Sequence, residues 1–582
     1  MKPILVLYIL VMVIVAPGYC QRVNGIERDS LSQWLLPFQE KVYLKTDKGY
    51  YYPREDLWFC AIMDYRLPAM RDSLSNTLYV DLIGPDFKII ERKVLRIEGG
   101  FSANDFKLSR DLSPGLYFLR AYTNWMRNYG DVSLMSVPIP ILSVDKNIKN
   151  QEPQEVYNSQ TVEVKVALNK ETYTTRDRVD VKISLKDTHG KPIKGKCVVT
   201  VTDDDAVRSI KGRVMIQDQV GQWDTPYLVA KDTSIYFLER GLTYSGLIEV
   251  KHRRFPAHLD IVLSQGLNLV SLDTDNSGRF YLSNLEFYDS LNLFIKAVDQ
   301  KGRQLSQISI DPPPTLLFVD PGKMINLDLE DFNAAQRIQN TYRPDSDVTL
   351  LEEVEIIGKK VNRDDIREDP IKKLYGRPDY TINGEDLISV AGLNVLIGLQ
   401  GRVPGVRVGE NSRGEVQINI RGLSLQGYTT PIIFVDGIPF EVNDLRAIST
   451  SQIDHIEIVK RALPQFGSRG ANGLIAIYTK MSTFSDHEST IPSDYVLKKL
   501  DGYATARSFY SPDYSSQTIA ASDYDFRSTL YWNPNVSMDD DGIATLHFYT
   551  SDLIGNYTIE VEGVEKTRWT PFWATIKFSV NE

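Results

Sequence analysis

Cysteine is scarce, with three residues in 582. Cys20 ends the N-terminal apolar segment, and Cys60 and Cys197 stand far apart in different β-rich stretches. That spacing offers neither a disulfide framework nor the paired cysteines of a zinc site, so Cys60 and Cys197 are expected as buried free thiols. Histidine is also scarce: His189, His252, His258, His455, His487 and His547 are the six, and none forms a His-Glu-x-x-His pattern. No Gly-x-Ser-x-Gly elbow occurs. Two acidic runs, Asp203-Asp-Asp205 and Asp539-Asp-Asp541, lack the full spacing of a calcium loop and read as solvated turns. No catalytic, cofactor-binding or metal-ligating residue is therefore named, no cofactor is implied, and a non-enzymatic chain is expected. An excess of positive charge is missing as well. Lys and Arg number 66 against 76 Asp and Glu, a net charge of −10 with the signs interspersed, which argues against nucleic acid as a partner. Long apolar runs are absent with one exception. Ile4 to Ala16 is almost wholly apolar, follows Lys2 and precedes the small residue Gly18. It falls short of the ~20 residues of a spanning helix and has the form of a signal peptide over residues 1–20. Tyr19 is not the small residue that lipid attachment at Cys20 usually requires.

What is present favours strands. The 31 tyrosines and the short Val, Ile and Thr runs suit a pleated, half-buried surface. A chain of this length exceeds one core and predicts roughly three to five domains. Lys41–Leu44, Leu57–Ile62, Thr77–Leu82 and Gly115–Tyr122 are strands separated by turn signals, predicting a β-sandwich over 38–143. Val162–Ala167 and Val179–Ser184 alternate with period two, opening a second sandwich over 160–239. A third is placed at 240–316, where Asp273–Phe280 reads as a turn feeding a strand. Residues 317–350 read as a linker with a short helix at Asp328–Tyr342. Residues 351–480 are mixed α/β: Leu387, Val390, Leu393, Leu396 and Leu399 follow a helical period, and Pro431–Val435, Ile453–Ile458 and Gly473–Tyr478 are compact strands. Residues 481–522, rich in Ser, Asp, Thr and Tyr, read as a second linker, and 523–582 as a separate C-terminal β unit. The fold class is mainly β, with tandem immunoglobulin-like sandwiches and one small α/β domain.

Two families are resembled. Glu40–Pro53 with Leu57-Trp-Phe59 resembles the opening strands of macroglobulin-type domains, and Ser113–Gly130 is similar to their closing hairpin. Tyr531-Trp-Asn-Pro534 with Asp541–Phe548 resembles a further macroglobulin-like unit, and Thr274–Phe280 a carboxypeptidase-regulatory-like sandwich. Residues 351–480 resemble the plug of TonB-dependent outer-membrane receptors. The resemblance is carried by Leu351–Gly358, Leu399–Val408, Ile420-Arg-Gly-Leu-Ser424, Phe434-Val-Asp-Gly-Ile-Pro439, Ile453–Lys460 and Phe466–Gly473. Within it, Gly437 and Pro439 suit a hairpin tip, and Gly467, Gly470 and Gly473 suit unusual backbone angles or close approach. Arg421 and Arg469 are expected to pair with carboxylates such as Asp436 or Glu457 and to hold the fold.

A plug of this family implies a surrounding barrel. Such a barrel takes about 22 strands of roughly 9–11 residues, more than two hundred residues in strands alone. Only 102 residues follow Lys480, without ten-residue alternation. The expectation is an exported protein at the cell outer membrane, on its periplasmic or surface face. It would be an accessory or interaction component of a transport or secretion complex, with a barrel or envelope protein as partner. No segment is assigned to engage TonB. The alternatives are a surface ligand- or glycan-binding protein, for which Trp125 and Trp532 are the candidate aromatics despite their core-like surroundings, and a macroglobulin-like protease trap. Neither Cys60 nor Cys197 stands in the Cys-x-x-Gln arrangement of a thioester.

Overall fold

Short runs of β-branched and aromatic residues become strands throughout the computed structural model. It describes residues 38–582 apart from 130–133, 144, 150–160, 209, 211–212, 224–235, 251–252, 255, 264–268, 300, 302, 314–328, 332–376, 391–392, 411–415, 421–429, 436–437, 464–469, 480–495 and 516–524.

The first sandwich faces a three-stranded sheet (Glu40–Thr46, Asp56–Tyr65, Phe101–Lys107) against a four-stranded one (Ile89–Arg96, Thr77–Ile83, Gly115–Tyr122, Met135–Ile141), all antiparallel. A strand with one wet face alternates between buried and exposed residues. Asp56–Tyr65 does not: every residue after Asp56 is buried. One of its faces meets the sandwich's own core and the other meets the second sandwich, where Trp569 donates its indole N–H to the carbonyl of Met63.

The second sandwich corrects the reading of 523–582 as a separate unit. Its five-stranded sheet runs Thr172–Thr174, Pro571–Asn581, Gly555–Glu565, Gly195–Asp203, Thr529–Ser537, and its three-stranded sheet runs Ile543–Tyr549, Arg178–Asp187, Val162–Leu168. Half of its eight strands thus lie beyond residue 525. Four strands alone would leave an apolar face in water. Here Val199 pairs with Val561 and Val201 with Ile559, closing one core across the gap in sequence. Gly563 permits this approach, because a Cβ on it would stand 2.5 Å from the Cys197 Cβ and 2.3 Å from the Lys196 carbonyl oxygen.

The third sandwich carries Arg253–Arg254, Leu242–Val250, Arg279–Leu285 and Ile308–Ile310 on one side. On the other are Leu269–Asp273, Ala257–Leu263, Ser290–Asp299 and Gln304–Leu305. The turn expected before Phe280 is formed: the Asp275 carboxylate accepts from the backbone N–H groups of Ser277 (2.8 Å) and Arg279 (2.9 Å). A strand from far downstream, Val496–Asp501, completes this sheet beside Ser290–Asp299. The stretch 481–522 is therefore not simply a linker. Beyond that strand, the Arg507 guanidinium pairs with Asp56 and Asp105 and lies 5.4 Å over Trp58, and Phe509 meets Trp58 edge-on at 5.5 Å. Nor is Asp328–Tyr342 helical where it is described: Leu329–Asp331 is a strand paired with Lys146–Ile148.

Between Ile310 and Val496 lies the α/β unit. Its sheet order is Tyr380–Asn383, Ile453–Val459, Leu474–Thr479, Ile432–Val435, Ile438–Pro439, with a separate hairpin of Val406–Glu410 and Val416–Ile420. The helical period over 385–399 resolves into a 3₁₀ segment, Gly384–Val390, and a short α-helix, Val395–Leu399. The helix starts where the Asn394 side chain accepts from the Ile397 N–H, an N-cap that interrupts a longer helix. The units are nested: the α/β unit is inserted in the third sandwich, and the third sandwich in the second.

Candidate functional site

The residue types that carry chemistry are mostly engaged in holding the fold. Asp203 accepts from the N–H groups of Asp205 (2.8 Å) and Ala206 (3.1 Å), and burial pushes its carboxyl up to about 6. Asp204 binds Thr558 and, at 2.8 Å, Lys577. Asp539 accepts from Asp541 and Ile543 in a turn, and Asp540 pairs with Lys194. Among the described residues no group of three or more His, Cys, Asp or Glu is arranged to hold a metal ion. Cys60 and Cys197 are buried free thiols, and burial pushes both thiols up. Trp125 and Trp532 are buried, and the Trp125 indole donates to the Phe38 carbonyl at 2.7 Å, so neither offers a ring to a sugar. His258 is half-exposed and hydrogen-bonds Asp273 at 2.8 Å; His252 lies outside the described residues.

The strongest electrostatic cluster lies in the seam between the first two sandwiches. Lys45 is fully buried and pairs with both Glu560 and Glu562. The Tyr43 hydroxyl donates to Glu562 at 2.6 Å, and Arg213 stands 3.5 Å from Glu560. Burial pushes the Glu560 carboxyl up, but the pull of Lys45 and Arg213 overcomes it and holds the group at about 2. A buried cation between two carboxylates is a satisfied structural lock. It could not be read from the sequence, because Tyr43 and Lys45 lie more than five hundred residues from Glu560 and Glu562.

The α/β unit presents a different kind of site, a sheet with two apolar faces. Alternation along its strands sends Ile433, Val435, Ile456, Ile458, Ile475 and Ile477 into the unit's own core. The neighbours in the opposite phase, Phe434, Val459, Leu474 and Ala476, face outward and are also buried, together with Leu463. They are covered by Phe294 and Leu497 of the third sandwich, which are cross-strand partners there. At the rim, Lys296 binds Glu441 at 3.0 Å. On the same sheet face the His455 ring stacks on Tyr478 (centroids 4.3 Å apart, planes within 10°). It hydrogen-bonds Asp454 at 2.7 Å and stands 3.8 Å from the buried Glu457. Sequence reasoning missed Phe294. The available signal was its phase: on Ser290–Asp299 the core side is Leu291, Leu293, Ile295 and Ala297, and Phe294 is the aromatic on the other side.

A family model described as the TonB-dependent Receptor Plug Domain matches residues 377–474. TonB-dependent receptor P39 of Formosa agariphila is 36% identical over 121 residues, which are 20% of this chain and 11% of that receptor. TonB-dependent receptor P3 of the same organism is 31% identical over 155 residues, 24% of this chain and 15% of its own. This chain carries a TonB-dependent receptor plug domain. Its match spans only about a ninth to a seventh of the curated receptors' length. Among solved structures, Escherichia coli α2-macroglobulin in its native conformation aligns over 94% of this chain and 40% of its own, at 11% identity and a TM-score of 0.23. A Salmonella α2-macroglobulin mutant aligns over 98% and 40%, at 11% identity and the same score. At that score the likeness carries no argument, and the sandwich architecture rests on the sheets described above.

Within the plug, the Phe434–Pro439 motif is a hairpin that pairs Phe434 with Pro439 and Val435 with Ile438. Asp436 and Gly437 lie outside the described residues, as do Leu351–Gly358, Arg421, Gly467 and Arg469, so the expected arginine–carboxylate pairs are not described. Gly473 has a φ of +82°, and a Cβ there would stand 2.3 Å from the Val459 carbonyl oxygen, which fits the expectation of a special glycine.

Proposed function

We propose that this chain is a non-enzymatic, exported protein of the outer-membrane envelope, an accessory or interaction component of a transport or secretion complex. Its plug would engage a barrel or other envelope protein supplied by a separate chain. One observation carries the reading: the described residues that follow the plug are not strands of a cylinder around it. Val496–Asp501 completes the third sandwich, and the four strands from Thr529 to Asn581 complete the second. The segments on either side of the plug thus build one platform of sandwiches, and the plug is mounted on that platform. A plug matched to receptors named for TonB supports the envelope setting, and an apolar leader over residues 1–20 supports export.

Capture of the tagged chain from detergent-solubilised envelope tests this. The full chain should recover a barrel-forming or envelope protein, and a variant with residues 377–479 replaced by a short Gly-Ser linker should lose it. Equal recovery with and without the plug, or no envelope protein with either, contradicts the proposal.

A further inference from the structure

The plug is attached to the platform differently from the distant strands that complete it. Leu329–Asp331 joins Lys146–Ile148, Val496–Asp501 joins Ser290–Asp299, and Gly555–Glu565 joins Gly195–Asp203, each by backbone pairing within a shared sheet. The plug shares no sheet with a sandwich: among the described residues its strands pair only with one another. What holds it to the third sandwich is side-chain packing of Phe294 and Leu497 on Phe434, Val459, Leu463, Leu474 and Ala476, with the Lys296–Glu441 ion pair at the rim. A partly exposed ion pair adds little to such a contact. Separating the two units therefore breaks no sheet. It uncovers a contiguous apolar face on a domain whose own core, formed by the opposite face, stays intact.

We propose that the contact between plug and third sandwich is autoinhibitory. Phe294, Leu497 and Lys296 occupy in cis the plug face that the envelope partner takes in trans, and the plug leaves the sandwich as a unit before it binds. This rests on the interaction role proposed above and adds its regulation. It also fixes the partner's chemistry: a β-surface offering an aromatic and an aliphatic side chain on adjacent strands, with a cation at the edge to meet Glu441.

Two measurements on the full chain test the two halves separately. Ala476 is fully buried in the seam, so an Ala476→Cys variant reacts with a maleimide only when the plug lifts. Buried Cys60, in the first sandwich, reports unfolding of the platform in the same sample. Labelling at 476 should run at least tenfold faster than at Cys60, and Phe294→Asp on the A476C background should speed it a further tenfold while Cys60 stays slow. The milder Lys296→Glu, for which folding is not in question, should speed it two- to fivefold. Labelling at 476 no faster than at Cys60 in the A476C, A476C/F294D and A476C/K296E chains overturns undocking, whatever partner exists. The second measurement compares envelope capture by the parent and by K296E. Several-fold greater recovery with K296E is expected. Unchanged or reduced recovery, with undocking confirmed, overturns the autoinhibition while leaving the partner reading standing.

Discussion

Single residues in the buried seams set how this molecule responds to pH. Glu239 is buried beside the first sandwich, where the Tyr79 hydroxyl donates to it at 3.1 Å, and burial pushes its carboxyl up to about 8. The folded chain therefore binds this proton more tightly than the unfolded chain does. Stability from this group is fully present below the ordinary glutamate range, near pH 4.5, and is lost as pH rises toward 8. Glu239→Gln keeps the hydrogen bond and removes the titration. Urea melts at pH 5, 7 and 9 should show the variant's advantage growing with pH to on the order of 2 kcal/mol or more. A pH-independent difference contradicts the assignment. Glu560 works in the opposite sense: the pull of Lys45 and Arg213 holds its carboxyl at about 2, so its stabilising contribution is present above the ordinary glutamate range and is lost as pH falls toward 2. Lys45→Met leaves Glu562 buried without its cation and should cost about 3 kcal/mol or more at pH 7, with the loss shrinking toward acid as Glu560 takes up its proton. None of this was readable from the sequence. Lys45 and Glu562 look like ordinary surface residues on alternating strands, and only the meeting of two sandwiches buries them.

Elements were far more legible than their partners. Period-two alternation located Val162–Leu168 and Arg178–Asp187, and the turn chemistry around Asp275 and Gly278 located the start of Arg279–Leu285. Alternation reports which face of a strand is buried, not which strand buries it. For that reason 523–582 looked self-sufficient, and a Lys-rich strand, Val496–Asp501, passed as linker. The strap after that strand was equally hidden, since Arg507 owes its role to Asp56 and Asp105 on a sheet four hundred residues earlier. Arg507→Ala should lower the melting midpoint by about a degree, equivalent to about 1 kcal/mol for a platform of this size, and the effect should fade in high salt. A salt-independent change of the same size would mean that packing on Trp58 dominates. Gly563→Val tests the close approach to Cys197 more severely. With backbone 2.3 Å from the added Cβ, the second sandwich should lose about 2 kcal/mol or more, and protease should reach Gly195–Asp203.

At the scale of the whole molecule, the sequence resemblance found the plug and the structure found how it is carried. Blocks such as Phe434–Pro439 and Ile453–Lys460 are local, so the domain could be read from residues alone. The nesting could not, because it is written only in strand pairings across the plug. Those pairings make the platform one cooperative body that depends on residues from both sides of the insertion, while the plug depends on its own core. Amide hydrogen exchange along Gly195–Asp203, the strand held between Gly555–Glu565 and Thr529–Ser537 of the second sandwich, measures this most directly in two deletions. Excising 377–479 should leave that strand as protected as in the full chain, and truncating at 524 should abolish its protection. Loss of protection on excising the plug, or its survival after the C-terminal truncation, would contradict the nested platform from which the plug's role is argued.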